Sequence, residues 1–427
     1  MLQEKVFWWT TAEFPTGEAE PPGGRWDVAV VGGGYTGLAA ALWLARHGAR
    51  VAVLETHTIG WGASSRNGGQ VLTGLKLGIE TLFARYGRDL ARRLFAASLS
   101  AIDCVEQIVR DENIACGFAR RGHLEVACKP AHFEHFRRTA ELLAREFNHV
   151  TRLVEARDLH NEIGSDVYHG GLVDEASAGV NPAQYVAGLG RAAQAAGAKL
   201  FERAPVTGIE RQARARFRLV TARGVIEADQ VLIATGGLTG RATPALQRRV
   251  VPIGSYIIAT EPLPESLAGR LLPQQRVVFD SKNFLHYFRL SADRRLLFGG
   301  RAAFAPETPD TVRESAAILR RDMVAVFPQL REARVEYAWG GTLDFAFDLM
   351  PHAGRHQGLY FALGYAGHGV ALATYLGTRM AETICGLKVD NPFAEIAFPG
   401  APLGLYDGRP WFLPLAEKWY RFLDWVS

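Results

Sequence analysis

The chain has 427 residues, 48% hydrophobic and 22% charged, with a formal net charge of +4. That is enough for two domains with sizeable cores, and the scattered basic residues give nucleic-acid binding no support. Cys104, Cys116, Cys128 and Cys385 form no C-x-x-C pair and no zinc-type spacing, so free thiols and no metal are expected, and no run reaches transmembrane length or has a signal-peptide pattern, so no integral membrane segment and a cytoplasmic location are expected.

Residues 1–25 read as an arm, with Phe7-Trp8-Trp9 packing on its own domain and a Pro/Gly linker ending at Gly24. Trp26 to Val31 is an apolar, valine-rich run of buried-strand length that passes directly into Gly32-Gly33-Gly34-Tyr35-Thr36-Gly37. Leu38 to His47 carries apolar residues at helical spacing, Gly48 stops it, and Arg50 to Leu54 is a second strand ending at Glu55, 55 − 32 = 23 residues beyond the first glycine. Strand, G-x-G-x-x-G turn, helix, strand and acid together indicate dinucleotide binding. Gly32 permits the turn, Gly34 lets backbone approach a pyrophosphate, and Gly37 lets helix pack on strand. Glu55 suits ribose hydroxyls and disfavours a 2′-phosphate.

A small, polar, glycine-dense loop, Ile59 to Gln70, follows the second strand. Thr81 to Asn113 reads as one long or two shorter helices, Arg121 to Cys128 as a strand, and Ala131 to Phe147 as helix. A further helix starts at Asn181-Pro182 and stops at Gly197. Short strands follow over Lys199–Ile209, Arg216–Thr221 and Val225–Ala228, then a buried parallel-type strand from Asp229 meets a second glycine turn at Thr235-Gly236-Gly237. Val250–Thr260, Arg276–Asp280, Phe284–Leu290 and Leu296–Arg301 suggest an antiparallel sheet. Thr311–Phe327 is helical, Val335–Leu343 and Leu359–Leu363 are strands, and Gly364 to Gly369 is a third glycine turn opening a helix from Val370 to Cys385.

Four stretches, Gly32–Gly37 with Glu55, Gly62–Gln70, Ala234–Gly237 and Gly364–Val370, resemble in order the glycine-oxidase and D-amino-acid-oxidase superfamily of FAD flavoproteins. Gly60-Trp61-Gly62-Ala63-Ser64-Ser65-Arg66-Asn67, Tyr287-Phe288-Arg289-Leu290 and Gly408-Arg409-Pro410-Trp411 are similar to its gamma-glutamylputrescine oxidoreductase branch. The resemblance implies a mixed α/β fold: a Rossmann-like FAD-binding domain with a discontinuous antiparallel-sheet substrate domain, of glutathione-reductase-like architecture. It divides the chain into an arm at 1–25, an FAD unit at 26–75, 150–249 and 340–390, a substrate unit at 76–149 and 250–339, and an aromatic tail at 391–427. The cofactor implied is noncovalent FAD. Its ADP half falls to Gly32, Gly34, Tyr35, Thr36, Gly37 and Glu55, with backbone near Val206 at the adenine, and Thr235 and Gly236 are also cofactor-binding. Ala63, Ser64, Ser65, Asn67, Gly68, Gly69 and Gln70 would flank the flavin ring. Gly367, His368, Gly369 and Val370 would aim a helix N-terminus at its N1 and O2.

The catalytic candidates are Tyr256, His286, Tyr287, Trp339 and His368, with Asp344 and Asp348 as further pocket residues, Lys282 as a residue acting toward oxygen, and Arg289 and Arg301 as a carboxylate clamp. Hydride loss from a neutral amine needs no general base, so pocket shape and polarity can suffice. The leading expectation is an amine oxidase that forms an imine, hydrolysed to an aldehyde, with electrons passed to oxygen. The alternatives are an amine dehydrogenase feeding a partner protein or quinone, and a non-catalytic dinucleotide-binding protein. No second G-x-G-x-x-G follows a strand, so reduction by NAD(P)H is not indicated.

Overall fold

A computed structural model describes residues 2–212, 216–303, 308–416 and 418, with the side chains of 301–303 outside the description. Among these residues the strands form two eight-stranded sheets and one two-stranded ribbon. The first sheet runs Lys199–Phe201, Val51–Leu54, Arg25–Val31, Val225–Ile233 and Leu359–Leu363, all parallel, with His352–His356 antiparallel at the edge. These strands are valine-, leucine- and isoleucine-rich because both faces are covered. Helices Tyr35–Arg46, Pro182–Ala195 and Gly369–Ile384 build a core on one face. Strands Val206–Arg211 and Phe217–Thr221 fold antiparallel onto the near half of Val225–Ile233, where Phe217 and Ile226 help fill the other. That strand is one continuous element, although the polar Asp229-Gln230 divides it in sequence.

The second sheet runs Val335–Ala346, Val250–Thr260, Leu296–Ala303, Tyr287–Leu290, Val277–Asp280, His123–Val126, Gly170–Asp174 and Arg152–Glu155. All neighbours are antiparallel except Val277–Asp280 beside His123–Val126. Helix Pro309–Val326 covers one face through Val312, Leu319 and Met323. The opposite face looks toward the first sheet's glycine turns, and the cavities described below lie between them.

Several expected boundaries move. Arg152–Glu155 and Gly170–Asp174, expected with the dinucleotide-binding unit, hydrogen bond into the second sheet, and Val335–Ala346 runs across the expected boundary at 340. The long helix Ile79–Asp111, expected with the substrate unit, buries Leu82, Leu94 and Ala101 in the core shared with Tyr35–Arg46. An amphipathic stripe specifies that a helix must bury one face, but not which sheet it covers. Gly87, at φ 73°, divides that helix in two. The helix at Pro182 is capped as its sequence implies, with the Asn181 side-chain oxygen accepting from the N–H groups of Ala183 and Gln184 at 3.1 Å.

The N-terminal arm packs on its own chain, Phe7 and Trp8 being 4% and 2% exposed. The aromatic stretch Trp419-Tyr420-Arg421-Phe422 lies outside the described residues. No helix among the described residues is long and apolar enough to cross a membrane.

Candidate active site

The turn after the first strand is built as its glycines require. Gly32 has φ +112°, and a β-carbon there would stand 2.4 Å from the Ala234 carbonyl oxygen. At Gly37 it would stand 1.9 Å from the Gly32 carbonyl oxygen, so helix Tyr35–Arg46 lies against the strand only because no side chain intervenes. A β-carbon on Gly377 would come within 2.2 Å of the Thr36 carbonyl oxygen, which brings helix Gly369–Ile384 equally close. The Thr36 hydroxyl meets the Tyr365 hydroxyl at 2.7 Å, tying the first glycine turn to the third.

One cavity of about 150 Å³ runs along this seam, lined by Gly32, Gly34, Tyr35, Thr36, Glu55, Thr235, Gly236, Gly367 and Gly369. Glu55 is 9% exposed; one carboxylate oxygen accepts from Gly33 N–H at 2.7 Å and the other from His57 N–H at 2.8 Å. Burial pushes its carboxyl up, against the pull of these donors. No side chain caps helix Gly369–Ile384, while the Ser64 hydroxyl accepts from Tyr35 N–H at 3.0 Å at the start of the first helix. Asp344 lines the same cavity and accepts from Gly364 N–H at 2.7 Å; burial raises it to about 6.

A second cavity, of about 210 Å³, adjoins the first and shares Ala63, Asn67, Leu343, Gly367 and Val370 with it. Gly68, Gln70, Tyr287 and His368 line it, with Phe279, Phe284, Leu285 and Phe345 supplying apolar surface. His368, half-buried at its wall, has Nδ1 without a hydrogen-bond partner, and burial pushes the imidazole down to about 4. The group is therefore neutral, and no protonated histidine adds to the helix end there. Tyr287 shares its hydroxyl with Ser255 at 3.1 Å and is pushed up to about 12 by burial, so it remains a phenol.

The loop over Ala63–Gln70 is held from outside by three indoles. Trp8 Nε1 donates to the Asn67 carbonyl at 2.9 Å, Trp9 Nε1 to the Ser65 hydroxyl at 2.7 Å, and Trp339 Nε1 to the Arg66 carbonyl at 2.8 Å. Asn67 braces it from within, donating to the carbonyls of Ala63 and Ser64 and accepting from Gly69 N–H.

Several expected site residues stand elsewhere. Leu285 and Tyr287 face the cavity, so strand alternation turns His286 to the opposite side, where its ring lies 3.2 Å from Asp280 and 3.3 Å from Asp322. Tyr256, next to the cavity-lining Ser255, turns away for the same reason and donates to the Thr311 hydroxyl at 3.0 Å. Trp339 shares the face of Gly341 and Leu343 but lies beyond the cavity, under Phe7 and Trp8. Ser65 points to Trp9, and a β-carbon on Gly69 would stand 2.0 Å from the Val180 carbonyl oxygen; neither residue lines either of these two cavities. Val206 packs beside Phe217 and Leu219, outside the cavity lining.

Lys282 pairs with Asp280 at 3.3 Å, and Asp348 with His352 at 3.0 Å. Arg289 donates to the carbonyls of Gly69 and Val180 at 2.7 and 2.8 Å, which makes it a brace for the loop rather than a clamp; the Arg301 side chain lies outside the described residues. Lys76, Phe279 and Phe284 line the second cavity without having been singled out in the sequence, because no periodicity or motif marks them.

Comparison with known proteins agrees with this geometry. Residues 27–383 match the DAO family, described as FAD dependent oxidoreductase. The chain is 34% identical over 380 residues to gamma-glutamylputrescine oxidoreductase of Escherichia coli, covering 88% of each. It is likewise 34% identical over 409 residues to probable oxidoreductase OrdL of Haemophilus influenzae, covering 93% of this chain and 92% of that one. The crystal structure of glycine oxidase from Geobacillus kaustophilus shares the fold, with a TM-score of 0.75 at 23% identity over 88% of this chain and 100% of that one. The chain belongs to the DAO family of FAD-dependent oxidoreductases, and FAD is its cofactor.

Proposed function

We propose that this protein oxidises the C–N bond of an amine of the gamma-glutamylated diamine class to an imine, which water hydrolyses to an aldehyde and ammonia, with the electrons passing to oxygen to give peroxide. The observation that carries the reading is the second cavity: it opens onto the first through Gly367 and Val370, and no carboxylate lines it among the described residues. The 34% identity to gamma-glutamylputrescine oxidoreductase supports the substrate class.

The residues present fit FAD. Glu55, the Gly32–Gly37 turn and the start of helix Gly369–Ile384, which no side chain caps, lie along one cavity, and acid, glycine turn and helix end suit ribose, pyrophosphate and an electron-rich ring respectively. In this reading Gly34 and Thr36 hold the pyrophosphate, and Ala63, Asn67, Gly68, Gln70 and Gly367 flank the ring. FAD bound there supplies a hydride acceptor. No cysteine lines either cavity, which supports a noncovalent cofactor.

This chain's own residues would prepare the amine. A cavity without a carboxylate stabilises no ammonium, so it favours the neutral amine, the form with a lone pair to assist hydride loss. The neutral His368 presents an unpartnered Nδ1 at the wall, and the Tyr287 phenol offers a hydroxyl. Phe279, Phe284 and Phe345 exclude water while hydride is lost. The four cysteines are free, which suits a reducing cytoplasm.

Aerobic turnover of gamma-glutamylputrescine should give aldehyde and peroxide in equal amounts. Aldehyde without peroxide, formed only when a quinone or dye is added, would instead favour the dehydrogenase reading. For that reading the exposed Leu403, Leu405 and Trp411, at 92%, 64% and 62%, offer an apolar surface to an acceptor.

A further inference from the structure

The second cavity is lined by a half-buried cation that no described residue neutralises fully. Among the described lining residues, the permanent charges are Arg66 and Lys76. Arg66 is occupied: its guanidinium donates to the carbonyls of Trp61 and Gly340 and stacks on the rings of Trp9 and Trp61, at 4.9 and 4.2 Å. Lys76 has no such engagement. It makes no hydrogen bond or ion pair with any described residue, and the charge acting on it is that of Glu125.

Glu125 does not line the cavity; it sits on the adjoining strand, in register with Phe279. Burial holds the Lys76 ammonium below its ordinary range and pushes the Glu125 carboxyl up to about 7, so near neutrality Glu125 carries only part of a charge. A long, flexible, strongly hydrated side chain enclosed without a counter-charge is costly unless a ligand supplies one.

Resting on the amine-oxidase reading above, we propose that Lys76 is the binding residue for a carboxylate of the substrate, and that this contact selects a gamma-glutamylated diamine over the free diamine. A gamma-glutamyl group carries an α-carboxylate several bonds from the terminal amine, so one molecule can place an amine at the oxidation site and an anion on Lys76. A free diamine offers no anion, and its second ammonium has no adjoining carboxylate to offset its repulsion from Lys76 as the α-ammonium of a gamma-glutamyl group does. Arg289, the other half-buried cation considered for this role, is committed to the carbonyls of Gly69 and Val180.

The test separates binding from turnover. Gamma-glutamyl-n-butylamide keeps the carboxylate but lacks the terminal amine, and its α-carboxamide counterpart replaces that carboxylate with a neutral amide while keeping the α-amino group. Titration calorimetry on the FAD-loaded enzyme should show the first binding tenfold to a hundredfold tighter, roughly the worth of one charge-assisted hydrogen bond. Lys76→Met, checked for full FAD content, should reduce that preference to about threefold or less, and Lys76→Arg should restore most of it. Equal binding of the two ligands to the wild-type enzyme overturns the proposal without any variant, as does full preference retained in Lys76→Met. Failure of every amine to reduce the flavin, with the binding preference intact, would remove the amine-oxidase reading and leave the carboxylate site standing.

Discussion

The imidazole of His368 stands at the wall of the second cavity with its pKa pushed down to about 4, so it is neutral throughout the range in which such an enzyme is assayed. A group depressed this far gives no ionisation between pH 5.5 and 7.5. The pH dependence of kcat/KM should come instead from the substrate, rising toward the pKa of a primary amine near 10 as the neutral form becomes available. His368→Gln should lower the rate without changing the shape of that profile; a limb near pH 6.5 that disappears in the variant would show a titrating His368. Asp344 shifts in the opposite sense. Because burial raises it to about 6 from an ordinary value near 4, the folded chain holds its proton more tightly than the unfolded chain. Stability from this group is therefore present at low pH and lost as pH rises from about 4 through 6, a loss of about 2 to 3 kcal/mol by pH 8. Asp344→Asn keeps an oxygen for Gly364 N–H and removes the charge. Thermal melts at saturating FAD should show it more stable than wild type at pH 8, with the gain shrinking toward pH 4; a loss at pH 8 would contradict the burial argument. At this scale the sequence was least informative. Tyr256 and His286 are plausible pocket residues by type, but one step along a strand exchanges faces, and only the register shows that Ser255 and Tyr287 point inward.

At the scale of elements, the loop Ala63–Gln70 depends on residues distant in sequence. Trp8, Trp9 and Trp339 each donate an indole N–H to it, and Arg289 donates to the carbonyl of Gly69. Trp8→Phe keeps the ring's bulk but leaves the Asn67 carbonyl without that donor, which should cost roughly 1 to 3 kcal/mol. The expected result is a lower melting temperature together with faster loss of FAD on dilution. Unchanged FAD retention would mean that the arm does not support the loop. Elements with strong local signals were legible: Val250–Thr260 and Leu359–Leu363 occur with the bounds their patterns imply, and Asn181-Pro182 begins a helix. Arg152–Glu155 and Gly170–Asp174 were not, because four- or five-residue strands among glycine and charge carry too little alternation to stand out.

At the scale of the whole molecule, the first sheet brings its three glycine turns to one seam, and the second sheet closes the adjoining cavity over it. The glycine turn and Glu55 that line the first cavity were legible in the sequence, since a phosphate-binding turn needs particular glycines and an acid at fixed spacing. The lining of the second cavity was not, since Lys76, Phe279, Phe284 and Phe345 come from separate strands and loops and meet only when the second sheet assembles. In the proposed reaction, electrons enter from an amine bound in that cavity. The most direct test is anaerobic rapid mixing of the FAD-loaded protein with gamma-glutamylputrescine and, separately, with NADPH. The amine should abolish the flavin's visible absorbance within the time of a turnover while NADPH leaves it unchanged; rapid reduction by NADPH and by no amine would contradict the proposed reaction.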